Sequence, residues 1–173
     1  MVMRKKTRSA LKWSCYTFLL LIAFCLQTTS AGLSFFGIKP IYLIPVAIAV
    51  ALCENEIGSA VFGLCTGFLW DIASDKLFGF FAIAILLCCV CVTLLSMYVL
   101  RVNITNALFF CGGVCLLCQL WDFFFYYLIW SYDHLWLILR EQILSAIVTM
   151  LFMVPAFYLV RWIAQKFQFV IRV

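Results

Sequence analysis

The stretch Ile57-Gly-Ser-Ala-Val-Phe-Gly-Leu-Cys-Thr-Gly-Phe-Leu-Trp-Asp71 decides how this chain folds. Within it, four residues follow one another at intervals of four positions, and we call them the small-residue stripe: Ser59, Gly63, Gly67 and Asp71. Because a helical turn takes about 3.6 residues, these positions share one side of a helix. The first three are small, and small residues let helices approach closely in lipid. A carboxylate at membrane depth is costly and usually faces protein or a water-filled cavity. The stretch therefore predicts a helix-packing face that ends in an acid.

The composition is that of a membrane protein. Of the 173 residues, 68% are hydrophobic and 11% are charged, whereas soluble domains carry about 25% charged residues. The ten cysteines lie mostly inside apolar runs without flanking histidines, so we interpret them as small apolar residues. We expect no metal site and no cofactor. The net charge of +5 comes from basic residues at the ends of apolar runs, a pattern typical of membrane orientation rather than nucleic-acid binding.

Six apolar runs predict an all-α polytopic bundle of six transmembrane helices. They cover about 13–30, 41–53, 57–73, 79–100, 107–130 and 137–160, between a basic N-terminus at 1–12 and a C-terminal tail at 164–173. The first run resembles a signal peptide, but further runs follow it and favour an uncleaved helix. The second run is only about 20 Å long, against a hydrocarbon core of about 30 Å. Residues 41–73 therefore form either two short spans or a re-entrant hairpin, and Pro45 is a candidate bend.

Six spans place both termini on the same side of the membrane. The basic residues then divide into nine on that side and three on the other. Since cytoplasmic segments carry the excess of lysine and arginine, both termini are predicted to be cytoplasmic.

Polar residues within the spans are candidate functional groups. Asp71, Asp122 and the pair Arg140-Glu141 all fall in the outer half of the predicted bundle. An unpaired charge at such depth is expensive, so Arg140 is expected to pair with Asp71 or Asp122. The alternative is that Arg140 and Glu141 lie at the interface and face headgroups. Asp122 shares a helix face with three cysteines, Cys111, Cys115 and Cys118.

The links between runs are short and leave no room for a soluble catalytic domain. Glu54 and Glu56 are interpreted as a solvated turn, and His134 as an exposed loop residue. There is no Gly-rich phosphate loop, nucleophile elbow or pair of catalytic carboxylates. The sequence predicts a protein that is not an enzyme.

The stripe region resembles the signature of MreD, a family of bacterial rod-shape-determining membrane proteins. The resemblance rests on Gly58-x4-Gly63-x3-Gly67-Phe-x2-Asp71, followed by Leu77-Phe-Gly79-x2-Ala82. It implies an inner-membrane scaffold of the cell-elongation and peptidoglycan-synthesis machinery, without catalytic activity. The partners it implies are MreC, MreB filaments, the RodA glycosyltransferase and a class B penicillin-binding transpeptidase. The expected helix-packing or partner interface consists of Gly58, Ser59, Gly63, Gly67, Asp71 and Gly79.

A rival from another class is a small-molecule carrier. The MreD family is similar in fold to the substrate-binding subunits of energy-coupling-factor transporters, which are six-helix bundles. Such a subunit requires an outward pocket with polar residues from the outer loops, and this chain offers Ser34, Lys39, Asp75, Asp133 and His134. Those subunits also tend to dock through alanines spaced by four in the first helix, and Ala23 has no such neighbour.

Overall fold

The protein is an all-helical, multi-pass membrane protein. A computed structural model describes residues 2–29, 40–74, 78–98, 103–128 and 135–167. The described part contains six α-helices and no strand; the helices are α1 Val2–Thr28, α2 Leu43–Cys53, α3 Glu56–Ser74, α4 Phe80–Tyr98, α5 Ile104–Asp122 and α6 Leu135–Phe167. All except α2 are long and apolar enough to cross a membrane. The prediction of an all-α membrane protein is confirmed.

Helix α2 occupies the centre of the bundle. Ten consecutive residues, Leu43 to Leu52, are buried, and α2 contacts each of the other five α-helices. Its 11 residues span only about 16 Å, well short of a hydrocarbon core of about 30 Å. A helix surrounded by protein need not match the thickness of the lipid, which explains how so short a helix is accommodated.

Pro45 lies in the first turn of α2 rather than at a bend. Helix α2 begins at Leu43 after the N-cap residue Tyr42, so Pro45 is the third helical residue. The amides of the first turn have no acceptor within their own helix, and a proline there sacrifices no hydrogen bond. The sequence analysis gave Pro45 as a candidate bend, whereas in the structure Pro45 lies where a helix begins.

The turn between α2 and α3 lies level with the beginning of the apolar part of α1. Lys12, just before that apolar part, contacts Glu54 after the last turn of α2. At the opposite end of α2, the Tyr42 amide donates to Gln27 near the end of α1. Helix α2 is therefore antiparallel to α1 and extends between these two levels. This geometry favours two crossings by residues 41–73 over a re-entrant hairpin.

The helix ends differ most from the predicted runs in three places. Helix α1 includes the basic residues before Trp13, and α6 continues to Phe167, into the segment expected to be a tail. Helix α5 passes into a π-helical segment, Phe123–Leu128, a wider winding that interrupts α-helices in short stretches. The remaining ends of the predicted spans, at 30, 99–100 and 129–130, and the end of the tail at 168–173 lie outside the described residues.

Candidate functional site

The small-residue stripe faces helix α4 of the same chain. Ser59, Gly63, Gly67 and Asp71 are all buried. A Cβ atom on Gly67 would overlap the Cα of Ala82 and lie 2.8 Å from its amide nitrogen. A Cβ on Gly63 would lie 3.0 Å from the Cβ of Cys89. Gly67 thus permits a backbone approach between α3 and α4 that no larger residue allows, and at Gly63 an added Cβ would have to displace the Cys89 side chain.

Asp71 closes this contact by binding the first turn of α4. One carboxylate oxygen, Oδ2, accepts hydrogen bonds from the amides of Gly79 at 2.8 Å and Ala82 at 3.3 Å, and Oδ1 accepts one from Phe81 at 2.9 Å. These amides belong to the helix N-terminus, whose donors lack intrahelical acceptors and which carries partial positive charge. Asp71 is 2% exposed, and its charge is met by these donors and the helix dipole.

Gly79 provides the backbone conformation that this arrangement needs. Its φ is +93°, a region that costs an L-residue about 1 kcal/mol or more. No atom of the described residues would contact a Cβ there within 4 Å, so the requirement for glycine is conformational. We call Gly63, Gly67, Asp71, Gly79 and Ala82 the α3–α4 junction.

Gly58 and Ser59 attach the beginning of α3 to other helices. A Cβ on Gly58 would lie 3.1 Å from the indole of Trp13 on α1. The hydroxyl of Ser59 donates to the carbonyl oxygen of Cys89 on α4, at 3.1 Å. The hydroxyl of Thr93, one turn further along α4, lies 2.9 Å from the carbonyl oxygen of Ala51 on α2. Each of these polar groups connects two helices.

A second polar cluster holds α1 against the α2–α3 turn. The ammonium group of Lys12 is 2.8 Å from Oε2 of Glu54, and the two side chains are only 10% and 6% exposed. The hydroxyl of Tyr16 donates to Oε1 of the same carboxylate at 3.0 Å. The prediction of a solvated turn is wrong for Glu54, because its carboxylate is enclosed by the side chains of α1. Glu56 is exposed, as expected.

The two backbone amides that immediately precede α2 donate to side chains of two other helices. The Ile41 amide donates to Oγ1 of Thr149 on α6 at 2.9 Å, and the Tyr42 amide donates to Oε1 of Gln27 on α1 at 2.8 Å. A buried helix end without partners would be costly, since an unsatisfied amide loses its bonds to water. Gln27 and Thr149 therefore fix the start of the central helix.

Arg140 and Glu141 lie on the exposed side of α6 and take no part in the α3–α4 junction. Within the described residues, no ion pair joins Arg140 to Asp71 or to Asp122. The expected pairing with Asp71 is wrong because α4 amides occupy that carboxylate. Asp122 is half-buried in the last turn of α5, on the face that carries the buried residues Cys111, Cys115 and Cys118.

Sequence reasoning missed four of the residues that hold the bundle together: Lys12, Gln27, Glu54 and Thr149. Lys12 was interpreted as one of the basic residues that set the orientation in the membrane, and Glu54 was interpreted as part of a solvated turn. The shortness of the second run was an available signal, because a helix too short to span must be enclosed and its ends must find partners inside the protein. That signal does not identify the partners, since they come from distant parts of the sequence.

Comparisons with known proteins yield no relative from which a function could be transferred. No family model, no curated protein and no solved structure matches the chain.

Proposed function

We propose that this protein is an integral-membrane scaffold of the bacterial cell-elongation machinery, which binds the transmembrane segments of partner proteins through the outer faces of its helices. The proposal combines the resemblance to the MreD family with the geometry of the residues that carry the resemblance. On this proposal, the protein lies in the inner membrane with both termini in the cytoplasm. Its partners are MreC, MreB filaments, RodA and a class B penicillin-binding transpeptidase.

The observation that supports the proposal most is the α3–α4 junction. The motif residues are separated in sequence by a polar break, yet Gly67 lies against Ala82, and Asp71 accepts hydrogen bonds from Gly79 and Ala82. The motif is therefore a single structural unit rather than a chance scatter of small residues. Its role in the proposal is to keep two helices in a fixed arrangement, which a scaffold needs in order to present a constant surface.

The geometry changes which residues would contact a partner. Because α4 covers the small-residue stripe, a partner helix has no access to it. The outer sides of α3 and α4 instead expose large apolar residues: Ile57, Val61, Ile72, Ile83 and Leu87. We assign partner binding to this outer surface, and we assign the stripe to packing within the chain.

Site-specific photo-crosslinking tests this assignment. A photoreactive amino acid replaces Leu87, which is 57% exposed, and in a matched variant it replaces Ile85, which is 1% exposed on the same helix. In a rod-shaped host, position 87 should crosslink to MreC or RodA, and position 85 should give only intramolecular products. Absence of crosslinks from positions 61, 83 and 87, together with unchanged cell shape after deletion of the gene, would refute the proposal.

The carrier alternative depends on residues that the structure does not describe. Ser34, Lys39, Asp75, Asp133 and His134 all lie outside the described residues. The centre of the bundle is filled by α2, whose buried residues are apolar. A thermal-stability screen of the purified protein against vitamins separates the two functions, because a carrier would be stabilised by its ligand and a scaffold would not.

A further inference from the structure

Helix α6 carries a tryptophan and a cation four residues apart near both of its ends. Trp136 and Arg140 form the first such set, and Trp162 and Lys166 the second, with the Lys166 ammonium 4.6 Å from the Trp162 ring centre. The two sets are 26 residues apart, which corresponds to about 39 Å of helix. A bilayer including its headgroups is about 40–45 Å thick. Each set therefore falls at the headgroup level of one leaflet.

The first set lines a groove on the side of α6. The groove has a volume of about 150 Å³ and is lined by Trp136, Leu139, Arg140, Ile143 and Leu144. Its walls are almost wholly apolar, so Arg140 contributes the aliphatic stem of its side chain to the lining. Trp136 is 76% exposed and Ile143 is 44% exposed, so the groove opens to the surroundings of the bundle.

The guanidinium of Arg140 has no carboxylate partner among the described residues, in which the ion pair observed joins Lys12 to Glu54 far from the groove. Glu141, the next residue along the chain, does not line the groove. An arginine near the end of a membrane-spanning helix normally meets an opposite charge in the protein or reaches the headgroups. The negative charge that faces Arg140 is therefore expected to come from a molecule other than this chain.

We propose that this groove is a binding site for an anionic phospholipid. The guanidinium of Arg140 donates two hydrogen bonds to the lipid phosphate, the geometry in which arginine binds phosphate best. An acyl chain lies along Ile143 and Leu144, and the Trp136 indole covers the glycerol region at the interface. A free phosphate ion would gain nothing from the apolar walls, so the phosphate belongs to a lipid.

Fluorescence quenching by brominated lipids tests the proposal. The full-length protein is placed in phosphatidylcholine vesicles that contain brominated phosphatidylglycerol or, in parallel, brominated phosphatidylcholine. The signal of Trp136 is the difference between the wild type and Trp136→Phe. We expect phosphatidylglycerol to quench Trp136 with about fivefold higher apparent affinity, the preference that one cation near an anionic surface provides.

Variants of two arginines make the test specific. Arg140→Gln should abolish the preference, and Arg140→Lys should retain most of it; both are checked for unchanged helix content by circular dichroism. Arg161→Gln removes the same charge from the other end of α6 and should leave the quenching of Trp136 unchanged. Equal quenching by both lipids in the wild type overturns the proposal. Displacement of brominated phosphatidylglycerol by millimolar inorganic phosphate also overturns it, because the site would then bind free phosphate.

Discussion

Gly67 of α3 and Ala82 of α4 meet backbone to backbone. A Cβ on Gly67 would overlap the Cα of Ala82 and lie 2.9 Å from the carbonyl oxygen of Phe81. All the opposing atoms belong to the main chain, so no side chain can rotate away to make room. Because Gly67 has no Cβ, α3 and α4 can approach each other this closely. The same close approach brings Asp71 within hydrogen-bonding distance of the α4 amides.

The first prediction concerns a graded series of glycine substitutions. Gly67→Ala should destabilise the protein by about 3 kcal/mol, the upper end of the usual cost of overpacking, because the backbone of α4 must move. Gly63→Ala should cost less, since Cys89 presents a side chain at 3.0 Å rather than backbone alone. The measurement is reversible unfolding in mixed micelles, followed by circular dichroism.

Gly113→Ala is the matched control for this series. Gly113 is exposed on α5, and a Cβ added there would have no neighbouring atom within 4 Å in the part of the chain that the structure describes. Alanine is favoured over glycine in helices by about 1 kcal/mol, so this variant should be as stable as the wild type or slightly more stable. Equal stabilities for Gly67→Ala and Gly113→Ala would contradict the close approach of α3 and α4.

The second prediction concerns the carboxylate of Asp71. Asp71→Ala leaves three amides of the first turn of α4 without their acceptor, and we expect a loss of about 3 kcal/mol. Asp71→Asn should be intermediate, because one acceptor oxygen remains and the charge facing the helix dipole is lost. Hydrogen exchange at the Phe81 and Ala82 amides should accelerate in both variants.

Glu56→Gln provides the control for the loss of an acid. Glu56 is exposed in the first turn of α3, so its neutralisation should cost no more than about 0.5 kcal/mol. If exchange at Phe81 and Ala82 were the same in Asp71→Ala as in the wild type, the capping role of Asp71 would be wrong.

The sequence predicted the α3–α4 junction better than the rest of the bundle because the junction is local. Gly63, Gly67 and Asp71 repeat at helical spacing, so periodicity places them on one side of α3, and Gly79 and Ala82 follow within one short break. What periodicity could not supply was the identity of the opposing surface. A small-residue face packs equally well on a helix of its own chain or on that of a partner.

The contacts of α2 were beyond sequence reasoning for a different reason. Lys12 and Glu54 are 42 positions apart, and Ile41 and Thr149 are 108 positions apart. Neither pair can be inferred from the spacing of residues in the sequence. In the sequence, a charged residue beside an apolar run gives the same pattern whether its side chain faces water or another charge. Only the arrangement of all six helices shows that the central helix has its ends bound by α1, α4 and α6.

The third prediction concerns the ion pair between Lys12 and Glu54. Lys12→Met leaves the Glu54 carboxylate buried without the ammonium group that faces it, and Glu54→Met leaves that ammonium group buried without the carboxylate. Each single variant should lose about 3–5 kcal/mol. The combined variant Lys12→Met, Tyr16→Phe, Glu54→Met removes these three polar groups together and should recover most of that loss, since replacing a complete buried pair by apolar groups is often neutral.

Lys166→Met serves as the control for charge removal, because Lys166 is exposed near the end of α6. It should leave the free energy of unfolding within about 0.5 kcal/mol of the wild type. A combined variant no more stable than the worse of the two single variants would show that the cluster does not act as a unit.

The fourth prediction concerns the crossing of the membrane by α2. The contact between Lys12 and Glu54 places the α2–α3 turn at the level where the apolar part of α1 begins. Asn55 in this turn is exposed. A cysteine at position 55 should therefore react with a membrane-impermeant maleimide from the side of the membrane on which the N-terminus lies. A cysteine at Thr29, just after the end of α1, should react from the opposite side. The assay uses a background in which the native cysteines are replaced by alanine or serine, and sealed vesicles of both orientations. A re-entrant hairpin would leave position 55 inside the hydrocarbon layer, where it would react from neither side. That outcome would refute the two crossings that the Lys12–Glu54 and Tyr42–Gln27 contacts favour.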